Sequence, residues 1–230
     1  MLAKLMGFFL LGFIRLLTGA QARWYGCPPK AEQRIYFANH QSHADLVLIW
    51  AALPRELRSI TRPIAAKDYW TQSRFKRWIT TEVFNAVYVD RMGGKAASVN
   101  SDSPPNGAAA PRAEVSAPIP ESSGDPLEPL AAALTSGDSI IIFPEGTRGY
   151  ADEPQAFKSG LYMLACRFPD VVLVPTWINN VQRVMPKGEV VPVPILCSVT
   201  FGEPIRVAPG EERRPFLDRA RLAVMALRDL

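Results

Sequence analysis

The sequence predicts an α/β fold: a mixed, largely parallel central sheet flanked by helices, with a membrane-associating helix at the amino terminus. Three observations carry that prediction. Short β-prone runs such as Arg34-Ile35-Tyr36-Phe37-Ala38 and Ser139-Ile140-Ile141-Ile142-Phe143 alternate with segments of helical period. Clusters of polar, chemistry-bearing residues follow the ends of those runs, where open α/β sheets place their ligands. The first apolar stretch, Leu5 to Ile14, is about ten residues long, half of the roughly twenty a bilayer-spanning helix needs.

Composition sets the outer bounds. The 230 residues are 48% hydrophobic and 21% charged, which reads as globular. We divide them into a membrane-associating segment at 1–30 and one domain at 31–230. The net charge of +4 suits a phosphate-bearing ligand, an anionic membrane or nucleic acid without choosing among them. Cys27, Cys166 and Cys197 are odd in number and form no Cys-x-x-Cys pair, which argues against a disulfide framework and for a reducing compartment. With only two histidines beside them, a structural zinc site lacks ligands, and no metal is expected.

Met1 to Leu17 reads MLAKLMGFFLLGFIRLL. A signal peptide is one reading, since Lys4 precedes the apolar run and Thr18-Gly19-Ala20-Gln21-Ala22 supplies small residues. Arg15 inside the stretch and the cysteine usage argue against it. As an interfacial helix, the same stretch would place Phe8, Phe9, Leu10 and Phe13 at the acyl boundary while Lys4 and Arg15 snorkel to headgroups. Arg23, Trp24 and Tyr25 suit the same interface. The alternative is a helix buried against the domain.

After the strand at 34–38, Ser42 and Asp45 have capping-box spacing, so a helix is predicted from there to Leu53, before Pro54. Arg58-Ser59-Ile60-Thr61 reads as a second strand weakened by Pro63, Lys67 to Thr80 as a helix, and Ala86-Val87-Tyr88-Val89 as a third strand. The basic and aromatic residues of 67–80 also fit a nucleic-acid patch, but such residues equally line membrane-facing helices, and no nucleic-acid partner is expected. From about 93 to 125 the composition turns to Ser, Pro, Ala and Gly without apolar periodicity, which reads as a flexible insertion. A helix at 127–134, the strand at 139–143, a helix opened by Phe157-Lys158-Ser159-Gly160 and running to about Phe168, a strand at 171–174 interrupted by Pro175 and resuming at 176–178, a strand at 195–201 and a closing helix at 215–230 complete the chain.

The heptad Asn39-His40-Gln41-Ser42-His43-Ala44-Asp45 contains both histidines. Histidine is the side chain whose unperturbed pKa suits a general base near neutrality, and a nearby aspartate can fix its tautomer. Residues five apart on one helix point about 140° away from each other. His40 and Asp45 therefore meet only if His40 lies in a loop before the cap, which leaves His43 in a structural role. Asp45 has a simpler reading too, as a group that satisfies first-turn amides.

Four clusters at strand ends stand in order: Asn39-His40 with Asp45, Asp90-Arg91, Phe143-Pro144-Glu145-Gly146-Thr147-Arg148, and Val174-Pro175. In this order they resemble the glycerolipid acyltransferase family, specifically its bacterial 1-acylglycerol-3-phosphate acyltransferases. Phe157-Lys158-Ser159-Gly160 and Phe201-Gly202-Glu203-Pro204-Ile205 resemble it as well, so the likeness runs from about 34 to 208. The insertion at 93–125 is longer than the family pattern.

The resemblance implies acyl transfer from a thioester to a hydroxyl, with His40 as general base oriented by Asp45. It places Arg91 and Arg148 near the acceptor phosphate, Lys67 as a weaker contact, and Glu145, Gly146 and Thr147 in the acceptor pocket. Backbone amides near the first cluster would stabilise the oxyanion. Ser42 is read as a cap and no protein nucleophile is invoked. Acyl-CoA or acyl carrier protein would be the donor and a lysophospholipid the acceptor, with no cofactor, at the cytoplasmic face of the inner cell membrane. The alternatives are acylation of glycerol 3-phosphate or of another lysophospholipid, and a non-catalytic phospholipid-binding protein. A metal-dependent hydrolase fails for want of ligands.

Overall fold

The computed structural model describes residues 2–19, 21–42, 44–67, 71–89, 125, 127–149, 153–180 and 196–230. The strands are β1 (Gln21–Trp24), β2 (Arg34–Ala38), β3 (Thr61–Ala66), β4 (Val87–Val89), β5 (Ser139–Ile142), β6 (Val172–Asn179) and β7 (Ser198–Phe201). The helices are α1 (Leu2–Thr18), α2 (Asp45–Ala52), α3 (Arg55–Ser59), α4 (Arg74–Trp78), α5 (Glu128–Thr135), α6 (Gly160–Arg167) and α7 (Arg213–Met225). The strands form one sheet in the order β1-β7-β6-β2-β5-β3-β4. Every neighbouring pair is parallel except β6 with β7.

β2 is buried at all five positions, because helices cover both faces of the sheet around it. Its alternation divides the core. Ile35 and Phe37 face one side with Ile140, Ile142 and Leu173, covered by Leu130 of α5, Leu164 of α6 and Phe216 of α7. Tyr36 and Ala38 face the other with Ile141 and Val174, covered by Leu48 and Ile49 of α2. A parallel strand covered on both faces reads as a continuous apolar run, which is why β2 and β5 were plain in the sequence.

The structure corrects several boundaries. Arg58 and Ser59 belong to α3, and the strand begins at Thr61 and runs through Pro63. Proline is tolerated there because pairing passes from β5, at Thr61 to Pro63, to β4, at Ile64 to Ala66. Of the helix expected at 67–80, residues 68–70 lie outside the described residues, Thr71 to Ser73 are not helical, and α4 follows, its start capped by the Ser73 hydroxyl accepting from the Lys76 amide at 3.2 Å. It continues as one π-helical turn, Ile79–Val83. Pro175 does not interrupt β6: antiparallel pairing with β7 begins only at Thr176, and the Pro175 carbonyl still accepts from the Gly202 amide. The insertion at 93–125 lies outside the described residues apart from Asp125.

β1 was missed. Trp24, expected at a membrane interface, stacks on Phe201 with ring centroids 4.1 Å apart. Next to it, the fully buried Arg34 donates from Nη2 to Pro28 O at 2.8 Å and to Glu32 Oε1 at 2.6 Å, pinning the loop between β1 and β2.

α1 ends at left-handed Gly19 (φ 66°), whose amide donates to Arg15 O. One face docks: Leu10, Leu11 and Ile14 pack beside Trp50 of α2 and Val83 of the π turn. Arg15, expected to reach headgroups, instead donates from Nη2 to Ala51 O at 3.1 Å, at the carboxyl end of α2. The opposite face leaves Leu5, Phe8, Phe9, Phe13 and Leu16 exposed, up to 84% at Leu16. These positions recur at helical spacing and make one stripe. Among the described residues no helix is long and apolar enough to cross a membrane.

Candidate active site

The parallel strands β2, β5, β3 and β4 all end at one edge of the sheet, and the described residues among those the sequence predicts, His40, Asp45, Lys67 and Glu145 to Arg148, stand along it. Asn39 fastens the first of them. Its side-chain oxygen accepts from the Ile178 amide at 2.8 Å and its nitrogen donates to Ile178 O at 3.2 Å. The buried amide thus stands in for a strand partner on β6, and the chain turns away at His40.

His40 lies in the loop, as the cap argument required. Its Nδ1 is 2.8 Å from Asp45 Oδ2. The same oxygen accepts from the amides of Gln41 at 2.6 Å and Ser42 at 2.8 Å. The simpler reading of Asp45 is corrected: its carboxylate satisfies loop amides before α2 instead of first-turn amides, and the same oxygen holds the histidine. An ionised carboxylate only accepts, so Nδ1 carries the proton and the lone pair is on Nε2. Asp45 is wholly buried, whereas 21% of the His40 side chain remains open. Phe143 stacks on the imidazole at 4.3 Å between centroids and 17° between planes, which fixes the plane of the ring. The cap differs in detail from expectation: α2 starts at Asp45 with Ala44 in the cap position, and the Ser42 hydroxyl accepts from the Ala44 amide at 3.2 Å.

The turn after β5 locks onto the His40 loop. Glu145 is 2% exposed, and its Oε1 accepts from the His40 amide at 2.8 Å while its Oε2 accepts from the Gln155 amide at 2.8 Å. Burial pushes its carboxyl pKa up, and the two amide donors oppose the rise. The Gly149 amide closes the loop by donating to His40 O at 2.8 Å. Glu145 thus faces inward as a brace for the His40 loop. These bonds also commit the amides of His40, Gln41 and Ser42, so oxyanion donors expected at the first cluster do not come from those three.

Gly146 adopts φ 70° at the exposed tip of the turn, and Thr147 beside it is exposed. Arg148 is half-buried, and its guanidinium has no partner among the described residues. Lys67 is exposed at the end of β3, two strands from β2, or roughly 10 Å at ordinary strand spacing. Arg91 and His43 lie outside the described residues. Sequence reasoning passed over Phe143, though it opens the quoted cluster, and the amides of Gly149 and Gln155. Gln155 offered no signal, because a backbone donor is invisible in residue identity.

The arrangement can take a proton from a hydroxyl at Nε2, stabilise the resulting imidazolium by the Asp45 carboxylate, and hold an anion at Arg148. The fold is known from a solved structure. Over 98% of this chain and 79% of the other, it superimposes on the 1-acyl-sn-glycerophosphate (LPA) acyltransferase PlsC from Thermotoga maritima, with a TM-score of 0.63 and 19% sequence identity. No curated protein sequence matches. A family model described as Acyltransferase matches residues 27–179, which span β2 through β6 and every site residue discussed above, and the chain therefore belongs to the acyltransferase family.

Proposed function

We propose that this acyltransferase moves a fatty acyl group from an acyl thioester to the free hydroxyl of 1-acylglycerol 3-phosphate, giving phosphatidic acid. The observation that carries the proposal is the His40 Nδ1–Asp45 contact at 2.8 Å, on a carboxylate oxygen already held by two loop amides. Nε2 takes the hydroxyl proton as the oxygen attacks the thioester carbonyl. The tetrahedral intermediate collapses with loss of thiolate, which recovers the proton from the imidazolium. No covalent acyl-enzyme is needed. Arg148, with Arg91 and Lys67, would supply cations for the acceptor phosphate.

The exposed stripe of α1 supports an acceptor that resides in a membrane over water-soluble glycerol 3-phosphate. Its phenylalanines and leucines would lie at the acyl boundary and bring the site to its lipid. That stripe is our reason for a membrane-surface enzyme; the unpaired cysteine pattern is our reason for its cytoplasmic face, with acyl-CoA or acyl carrier protein as donor.

Purified protein given both donors and a panel of lyso acceptors should yield phosphatidic acid by mass. His40→Ala should abolish turnover without changing the melting temperature by more than a few degrees. Near-wild-type turnover by that variant would remove His40 as the base. Acylation of glycerol 3-phosphate alone would replace the acceptor assignment.

A further inference from the structure

Lys158 was not singled out for substrate contact, yet the fold lays it across the active-site turn. Its amide donates to Pro144 O at 2.8 Å, which fixes the root of the side chain against residues 143–149. Gly146 faces the rest of it. A Cβ built on Gly146 would stand 2.6 Å from Lys158 Nζ and 2.9 Å from its Cδ and Cε. A side chain at this position would push the end of the lysine aside, and the left-handed φ of 70° at the same residue favours glycine.

The ammonium is exposed and, like the Arg148 guanidinium, has no hydrogen-bond or ion-pair partner among the described residues. The carboxylate of the turn, Glu145, cannot neutralise them, because both its oxygens point inward to amides. Two cations without a partner among the described residues therefore belong to this part of the site, Arg148 within the turn and Lys158 lying across it at Gly146. Like charges on one turn, with no carboxylate paired to them, favour an anion. Lysine is suited to a tetrahedral oxyanion as a compact charge with several donors, beside the planar fork of arginine.

We propose that Lys158, together with Arg148, binds a substrate phosphate, either the phosphomonoester of the acceptor or a phosphate of the pantetheine carrier on the donor. The source of the phosphate rests on the acyl-transfer reading above; the site itself does not. Lys158→Met keeps the apolar stem and removes the charge. It should raise KM for one phosphate-bearing substrate by about tenfold or more, the loss expected for a charge-assisted hydrogen bond, and raise KM more than it lowers kcat. Lys158→Arg should restore most of the loss. A rise in acceptor KM alone identifies the acceptor phosphate. A rise in donor KM that vanishes with an acyl N-acetylcysteamine thioester, which carries no phosphate, identifies the donor. Inorganic phosphate titrated into both proteins, followed by calorimetry, separates this site from the reaction. If Lys158→Met weakens phosphate binding while no lyso acceptor turns over, the site stands and the acyl-transfer reading falls. If neither KM nor phosphate affinity differs between the proteins, the site is overturned.

Discussion

At the scale of single residues, the site is built from groups that serve two purposes. Asp45 holds a loop and orients His40 through one oxygen. Glu145 joins two remote segments through its two oxygens, and this makes a sharp prediction. Glu145→Gln keeps one acceptor oxygen and turns an amide donor toward a backbone donor. Loss of one charged bond in a buried position costs about 1.5–3 kcal/mol. Because the His40 loop hangs on that bond, kcat should fall by at least tenfold while acceptor KM stays within about twofold. An acceptor KM that rises with kcat intact would instead place Glu145 against substrate. Its pH signature is distinct too. Burial raises the folded pKa above the ordinary 4.5, so the folded state binds more protons than the unfolded state between those two values. The stability contribution of Glu145 is then fully present below 4.5 and is lost as pH rises through the folded pKa. Urea midpoints across this range should show the advantage of wild type over Glu145→Gln shrinking as pH rises.

At the scale of elements, α1 has two unlike faces. Leu10, Leu11 and Ile14 pack against α2 and the π turn, while Leu5, Phe8, Phe9, Phe13 and Leu16 remain uncovered. Burying a phenylalanine in an acyl environment is worth about 1.5–3 kcal/mol. Replacing Phe8, Phe9 and Phe13 together by serine should therefore reduce co-sedimentation with phospholipid vesicles by more than tenfold and leave the melting temperature unchanged or slightly higher. Ile14→Ser should do the reverse, lowering the melting temperature through the docked face. Unchanged vesicle binding by the triple variant would remove α1 as the membrane contact.

At the scale of the whole molecule, the sheet joins early and late parts of the chain. Phe201 of β7 is fully buried between Trp24 of β1 and Tyr36 of β2, with ring centroids 4.1 and 5.5 Å away. Phe201→Ala should cost about 3–5 kcal/mol in chemical denaturation, the range for a buried aromatic. The fraction that folds should keep its turnover, since His40 and its braces stand on the loop after β2, on α2 and on the turn after β5. A cost below about 1 kcal/mol would show that β1 packs loosely on the sheet.

By itself, the sequence determined the strands with continuous apolar runs, the loop position of His40 and its approach to Asp45. It also determined the Phe143–Arg148 cluster that the acyltransferase family model covers. Periodicity, capping and motif spacing are local properties, so neighbouring residues suffice to read them. Only the tertiary structure decided that β1 is an edge strand, that Pro63 and Pro175 sit inside strands, and that Arg15 turns to α2. The same holds for the inward face of Glu145, the stacking of Phe143 on His40, and Lys158 lying over Gly146. Each depends on which distant backbone amide, carbonyl or ring the fold brings alongside, and the identities of a residue's sequence neighbours do not encode that.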